Sequence, residues 1–321
     1  MRWAIFDRQK AKRLLLRSVT ATCVAYAVDD WLWGLRLARG RIETSSGMTH
    51  AGLSLADSLA VIEGTYRRYC RLVGVDVFRG TVAEVGPGDN LGVALLLAKA
   101  ADEVWTIDRY AARRDPAQHA AIYAGLAKRH GLSGSHAPAE ATFERIRELV
   151  GEGAESFFRS TPRRFDAILS NATLEHVAEP VAVLNAMVTA LAPGGRLVHV
   201  IDLSDHGMFA GRSPLTFLTV GDAIYRRMTR NSGRPNRFLY GDYTRWLASS
   251  RLLEGQLLVS ALVNGWIAPS PAPLDTLPDT ELAAACTQVA RLRGRIARRL
   301  RAHSDHELAV AGCILVARRR G

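Results

Sequence analysis

Lysine is nearly missing from this chain. Of 42 basic residues only Lys10, Lys12, Lys99 and Lys128 are lysines, so arginine carries the net charge of +11. Two explanations cover this: a compositional bias toward arginine, or an acidic partner such as nucleic acid, anionic lipid or a phosphorylated substrate. Cysteine is scarce too. Cys23, Cys70, Cys286 and Cys313 lie far apart, with no C-x-x-C pair and no histidine at zinc spacing. That argues against a disulfide framework or a structural zinc site, and fits a reducing, cytoplasmic setting. No uninterrupted apolar run approaches the roughly 20 residues that cross a bilayer. There is no internal repeat and no long low-complexity tract. With 48% apolar and 23% charged residues over 321 positions, the composition excludes wholesale disorder and a collagen-like fibre. The length allows one large domain, or a core with appendages.

Near the start, Lys10, Lys12 and Arg13 precede an apolar stretch that ends in Ala25-Tyr26-Ala27. This loosely mimics a secretory signal. Arg17 interrupts the stretch, Thr20 and Thr22 dilute it, and Asp29 and Asp30 close it. An amphipathic helix, packed on the domain or laid on a membrane surface, is the better reading. Residues 1–78 as a whole read as a helical extension. Ser54 to Ser58 offer capping chemistry before Leu59, Ile62, Tyr66 and Tyr69, which recur at helical spacing.

From Thr81 the pattern changes. Thr81–Val85 is a short strand, Gly86-Pro87-Gly88-Asp89-Asn90 a turn, Leu91–Ala100 a helix and Glu103–Ile107 a second strand. This is the opening of a doubly wound, mostly parallel α/β sheet. Ala117–Lys128 continues it as a helix. Between 133 and 160 the pattern predicts a helix near Phe143–Leu149 and a weak third strand nearby. Phe165–Leu169 is a clear strand, Pro180–Leu191 a helix with proline in its first turn, and Arg196–Ile201 a fifth strand after Pro193-Gly194-Gly195. Residues 204–250 carry turn residues and aromatics, which suits a lid or substrate-binding insertion. Strand Gln256–Val263, a proline-rich stretch, helix Glu281–Arg301 and strand Glu307–Ala317 complete the chain. The arginines of 291–301 fall off that helix's apolar stripe. A solvated face is the plain reading, and docking to nucleic acid or lipid headgroups the functional one.

Three motifs carry chemistry. A ligand approaches backbone closely only where side chains are absent, as at Gly86 and Gly88. A dinucleotide fingerprint would place its third small residue at Leu91, so that pattern fails. Glu84 just before the turn suits a ligand with a positive or zwitterionic end better than a pyrophosphate. Asp108 ends the second strand, where a carboxylate can accept hydrogen bonds from ribose hydroxyls; a loop or cap aspartate is the plain alternative. Third, Ser170-Asn171-Ala172-Thr173-Leu174-Glu175-His176 follows the fourth strand, where strand ends line a ligand crevice. His199 reads as a core histidine. His199, Asp202, Asp205 and His206 straddle a strand end, so their side chains alternate between faces and do not make a metal site.

Glu84-Val85-Gly86-Pro87-Gly88, Asp108, Leu174-Glu175-His176-Val177 and Leu191-Ala192-Pro193-Gly194-Gly195 together resemble class I S-adenosylmethionine-dependent methyltransferases, in that family's order, over roughly residues 79–205. The chain departs from the family's E/D-x-G-x-G-x-G at Asn90. It also resembles bacterial members with a helical N-terminal extension and an Asp-His pair after the fifth strand, here Asp205-His206. The resemblance implies a seven-stranded Rossmann-like sheet over 79–321, preceded by a cap over 1–78. It implies S-adenosyl-L-methionine as cofactor. Glu84 would hold the amino group and Gly86, Gly88 and Asn90 would form the loop under the methionine part. Asp108 would bind the ribose, Arg109 and Tyr110 would lie near ribose and adenine, Glu152 would meet the adenine amino group, and Asn171 would sit by the sulfonium. His176 and His206 are candidate bases for a hydroxyl acceptor. The expected activity is methyl transfer to a small molecule, at oxygen, with a sugar or secondary metabolite as acceptor. An RNA methyltransferase and a non-catalytic scaffold of the same fold are the alternatives, the former set back by the lack of an Asn-Pro-Pro-Tyr block.

Overall fold

The computed structural model describes residues 18–44, 50–132 and 140–321; Lys10, Lys12, Arg13 and Arg17 of the signal-like stretch lie outside them. In chain order the main helices are α1 (Val19–Leu37), α2 (Leu55–Val73), α3 (Gly92–Ala98), α4 (Pro116–His130), α5 (Ala154–Ser160), α6 (Pro180–Ala190), α7 (Asp222–Thr229), α8 (Tyr240–Ser249) and α9 (Asp279–Ala290). The main strands are β1 (Thr81–Val85), β2 (Glu103–Asp108), β3 (Ile146–Val150), β4 (Phe165–Asn171), β5 (Leu191–Asp202), β6 (Leu253–Leu262), β7 (Ile267–Ala272) and β8 (Val310–Arg319). They form an eight-stranded sheet in the order β3-β2-β1-β4-β5-β8-β6-β7. The pairs β3–β2, β2–β1, β1–β4 and β4–β5 are parallel, and β6–β7 is antiparallel.

The doubly wound, mostly parallel sheet is as expected, but it has eight strands rather than seven. The added strand is β7, inside the proline-rich stretch. Pro269 and Pro271 lack the N–H a central strand needs, so the segment read as a loop; at the sheet's edge that donor is dispensable. Two further expectations are corrected. Phe143–Leu149 is not a helix: a single helical turn covers Glu140–Phe143 and Ile146–Val150 is β3. Glu281–Arg301 is not one helix either. It stops at Ala290 and continues as two 3-10 turns, Arg293–Arg295 and Arg298–Ala302. In that segment Arg293 and Arg301 side chains donate to backbone carbonyls of His303 (2.8 Å) and Ile296 (2.8 Å).

Contacts divide the chain into two compact units. One takes in Met1–Arg41, Asp202–Tyr243 and Leu258–Cys313; the other Ile42–Ile201, Thr244–Leu257 and Ile314–Gly321. The helices of the first 78 residues therefore fall in different units.

In the second unit α2 begins at Ser54, whose hydroxyl accepts from the Asp57 N–H, and ends at Gly74 in the left-handed conformation. Tyr69, Cys70 and Phe78 bury against Val82, Val104 and Leu169 of the sheet and Leu97 of α3. Leu59 and Ile62 pack on Leu96, Ile122 and Leu126 of α3 and α4. Each such aliphatic side chain contributes about 1.5–3 kcal/mol by leaving water. Phe157 of α5 meets Trp105 and Phe165.

In the first unit α1 packs on α7. The joint is polar. Asp30 is 2% exposed; its carboxylate accepts from the Asn231 and Ser232 backbone N–H groups (2.9 Å each), from Asn231 Nδ2 (2.9 Å) and from Ser232 Oγ (2.7 Å). Gly34 leaves room for Asn231, which a Cβ there would approach to 3.0 Å. Asp30→Ala leaves these buried donors unanswered. It is expected to destabilise the protein by about 2–4 kcal/mol, read as a lowered urea midpoint; an unchanged midpoint would refute the role given to this carboxylate.

Candidate functional site

β1 ends against β2 and β4, with Glu84 opposite Thr106 and Leu169. The next residue but one, Gly86, turns with φ +71°, and Gly88 with φ +77°. Only glycine takes these angles without strain. A Cβ on Gly86 would sit 2.4 Å from Thr173 Oγ1. That hydroxyl donates to the Val85 carbonyl at 3.1 Å, so the segment after β4 closes onto the turn. Between them Ala172 is held at φ +52°, a strained conformation for a residue with a Cβ.

The turn's third glycine position is occupied by Asn90, which has another task. It is buried, its Oδ1 accepts from the Gly92 N–H at 2.7 Å and its Nδ2 donates to Asp89 Oδ1 at 3.2 Å. Its side chain thus takes up a free donor at the start of α3. Asp89 in turn accepts from the His50 backbone N–H at 3.0 Å.

Glu84 is 5% exposed, and its Oε2 has no hydrogen-bond partner among the described residues. Burial pushes its carboxyl up to about 8. Tyr69, fully buried beside it, also has an unpartnered hydroxyl, driven well above the ordinary phenol range by burial and by Glu84. Arg68, the preceding residue on α2, donates from Nη2 to Asn171 Oδ1 at 2.7 Å, while its Nε is buried and unpartnered. Burial lowers its pKa. One cation, one carboxyl and a phenol, all short of partners, thus gather at the carboxyl ends of β1 and β4.

Asp108 lies at the end of β2 and lines a cavity of about 280 Å³ with Gly88, Tyr110, Arg114, Glu148 and Val150. Its Oδ1 accepts from the Tyr110 N–H at 2.9 Å. Burial raises it to about 6, against the lowering effect of that bond and of Arg114. Arg114 and Glu148 pair through both nitrogens and both oxygens across the cavity wall. The Asp108 carbonyl accepts from Gly151 N–H at 2.8 Å, which brings the segment after β3, with Glu152, beside it. Arg109 lies over the Tyr110 ring, 5.7 Å from its centroid.

His176 ends a 3-10 turn, Leu174–His176, in the same unit; its N–H donates to the Thr173 carbonyl at 2.9 Å. His206 belongs to the other unit, at φ +49°. Its partner is not its neighbour Asp205, whose carboxylate accepts from Gly207 and Phe209 N–H groups at 2.9 Å each. It pairs instead with Asp202, Nε2 to Oδ2 at 3.3 Å. Burial would raise Asp202, but His206 and Ser204 outweigh it and lower its pKa. His199 is fully buried, bonded through Nδ1 to Ser170 Oγ at 2.8 Å, and burial lowers it to about 3, so it stays neutral.

The structure therefore brings Glu84, Gly86, Gly88 and Asn171 to neighbouring strand ends and places Asp108 in the wall of the cavity, which Arg109 and Glu152 do not line. Arg68, Tyr69 and Thr173 are the residues sequence reasoning missed. No pattern separates Arg68 from Arg67 or Arg71, although Arg67 is exposed and pairs with Glu63.

A family model described as a methyltransferase domain matches residues 65–248, more than half of the chain. No curated protein matches it. Among solved structures, the N-methyltransferase NodS from Bradyrhizobium japonicum WM9, in complex with S-adenosyl-L-homocysteine, is 15% identical. That match covers 80% of this chain and 86% of that one, with a TM-score of 0.37. The plantazolicin methyltransferase BamL, in complex with a triazolic desmethylPZN analog and S-adenosylhomocysteine, is 13% identical over 96% and 98% of the two chains, with a TM-score of 0.42. YcgJ from Bacillus subtilis is 13% identical over 80% and 98%, with a TM-score of 0.40.

Glu84 gives a pH signature. Its folded pKa, about 8, lies above the ordinary 4.5. The protonated form is thus favoured in the fold, and this contribution is complete below about pH 4.5 and lost as pH rises through 8. Glu84→Gln keeps the neutral shape at every pH. The variant should match the wild type in urea denaturation at pH 5 and exceed it by about 2–4 kcal/mol at pH 8. A difference that does not change with pH would show that the group is not buried uncharged.

Proposed function

The chain belongs to the methyltransferase-domain family, and we propose that it binds S-adenosyl-L-methionine at the carboxyl ends of β1, β2 and β4 and methylates a small-molecule acceptor at oxygen. The observation that carries this reading is the buried Glu84 carboxyl, whose Oε2 has no partner among the described residues, together with the Arg68 guanidinium that reaches Asn171 at the end of β4. A zwitterion answers both: its ammonium takes up Glu84 Oε2 and its carboxylate takes up Arg68. An unsatisfied buried group costs about 1–3 kcal/mol, and such a ligand removes that cost at two groups together.

The remaining residues fit the rest of that cofactor. Gly86 and Gly88 allow close backbone approach. Asp108 accepts hydrogen bonds from the ribose hydroxyls beside the one it accepts from the Tyr110 N–H. Leu149 and Val150 offer apolar wall to the adenine, with Arg109 and Tyr110 near the ribose and Glu152 for the amino group. When bound, the cofactor supplies an electrophilic methyl on a sulfonium. The protein's work is then alignment of a nucleophile and removal of its proton.

His176, on the turn that follows Asn171 and Thr173, is assigned as the base toward a hydroxyl. His206, oriented by Asp202, is the second candidate. Acceptor selection is assigned to residues 204–250, with Phe209, Phe217, Tyr225, Tyr240 and Tyr243 among its aromatics. The first 78 residues are assigned a capping role, which Arg68 of α2 already supports. A small acceptor is favoured over RNA because Arg293, Arg299 and Arg301, half of the arginines between 291 and 301, bind groups of the chain itself. Arg293 also pairs with Asp305 at 3.3 Å, and Arg299 with Asp222 at 3.4 Å.

Calorimetric titration with S-adenosylhomocysteine tests the site, with NAD as control. The wild type should bind in the micromolar range, about −8 kcal/mol, and NAD should not bind. Asp108→Ala and Arg68→Ala should each weaken binding about tenfold or more. Because Glu84 must lose its proton to meet an ammonium, binding at pH 7 should release close to one proton, seen as buffer-dependent heat. Unchanged affinity in Asp108→Ala would sink the site assignment.

A further inference from the structure

The first unit carries a helix whose outward face is apolar. Val24, Val28, Trp31 and Leu32 of α1 are 59%, 53%, 62% and 47% exposed. Their spacing of four, three and one places them on one side of the helix. The acidic residues of this helix point the other way. Asp30 is buried on the joint with α7, and Asp29 pairs with Arg234, whose guanidinium lies over the Tyr26 ring at 4.4 Å. A surface helix normally turns its acids to water and its large apolar groups inward. Here the pattern is reversed.

The exposed charges on and just beyond the same pair of helices include five arginines. Arg39 and Arg41 lie exposed just beyond the end of α1, and Arg226, Arg227 and Arg230 are exposed on and just beyond α7. Asp222, the one acid of α7, pairs with Arg237 and Arg299. The sequence that leads into Ser18, the cap of α1, adds Arg2, Arg8, Lys10, Lys12, Arg13 and Arg17 against the single acid Asp7. Among the described residues no helix is long and apolar enough to cross a membrane.

We propose that the outward face of α1, with the cations beyond its end and on the adjoining α7, docks the protein on an anionic membrane surface. The occupant follows from the charge. A second copy of this chain seated on the stripe through an isologous contact would bring arginine to arginine, and a neutral apolar partner would leave the cations unanswered. An anionic lipid surface meets both: its acyl boundary takes Val24, Val28 and Leu32, and its headgroups take the guanidinium groups. Trp31 suits the boundary between them, being apolar in body and polar at its N–H. Arginine stands where lysine is almost missing, and its planar fork binds phosphate through two nitrogens.

The full chain should co-sediment with phosphatidylcholine vesicles that contain phosphatidylglycerol, about tenfold or more tightly than with phosphatidylcholine alone, and the excess should fade with added salt. The double variant Val28→Glu/Trp31→Glu should lose about tenfold or more, with its thermal unfolding unchanged because both side chains are exposed. If that variant is unstable, Arg226→Ser/Arg227→Ser replaces it, with a loss of several-fold expected. Equal binding to both vesicle types, or full binding by the double variant, overturns the proposal. So does a dimer in light scattering that the double variant dissolves while the wild type ignores vesicles.

Discussion

Glu84 is a carboxyl group held at the end of a parallel strand with one oxygen unanswered by any described residue, and the site is arranged around that fact. A buried carboxylate without a partner is costly enough that the group takes up a proton instead. The fold supports it without curing it. Tyr69 fills the space beside it and brings a second unpartnered hydroxyl. Thr173 occupies the volume that a side chain on Gly86 would need, and Ala172 bears a strained backbone angle so that Thr173 can reach the Val85 carbonyl. These features cost stability and are tolerated at ligand sites. The same low-dielectric setting that makes Glu84 expensive when empty-handed makes an ammonium a strong partner for it.

Arg68 completes this arrangement from outside the sheet. It stands on α2, in the helical segment before the first strand, yet its side chain reaches Asn171 at the end of β4. The helix buries Tyr69 and Cys70 in the core, and that packing fixes where the neighbouring side chain points. The cation's position is thus set by the hydrophobic register of α2. The site then has a cation and a protonated carboxyl on two elements that fold by different rules, one by helix packing and one by strand pairing.

How much of this was legible in the sequence follows from that difference. Glu84, Gly86, Gly88, Asp108 and Asn171 were legible as strand-end and turn residues because the alternation of apolar and turn residues marks where a strand stops. Asn90 was legible as a turn residue, but its buried cap on Gly92 could not be seen, because caps depend on geometry within one turn. Arg68 was invisible: Arg67, Arg68 and Arg71 differ only in the direction the helix gives them. β3 read as a helix because Ile146-Arg147-Glu148-Leu149 has mixed periodicity, and the strand's partner β2 lies some forty residues away in sequence. β7 was hidden by prolines that only an edge can accept.

The two ends of the chain's helical extension show the same limit from the other side. Leu59, Ile62, Tyr69 and Cys70 of α2 face the core, as spacing alone would suggest. Val24, Val28, Trp31 and Leu32 of α1 face outward, although their spacing is just as helical. Periodicity reports that a helix has two faces and is silent on which face is covered. In α1 that choice is made by Asp30, which binds Asn231 and Ser232 through four hydrogen bonds and so turns Trp31 and its neighbours to the surface. A buried carboxylate whose two oxygens both accept hydrogen bonds is stable where Glu84 is not. One aspartate therefore fixes the orientation of a whole helix, while one glutamate keeps a buried oxygen that no described residue answers. The contrast separates a polar group used to build the fold from one the fold leaves unanswered.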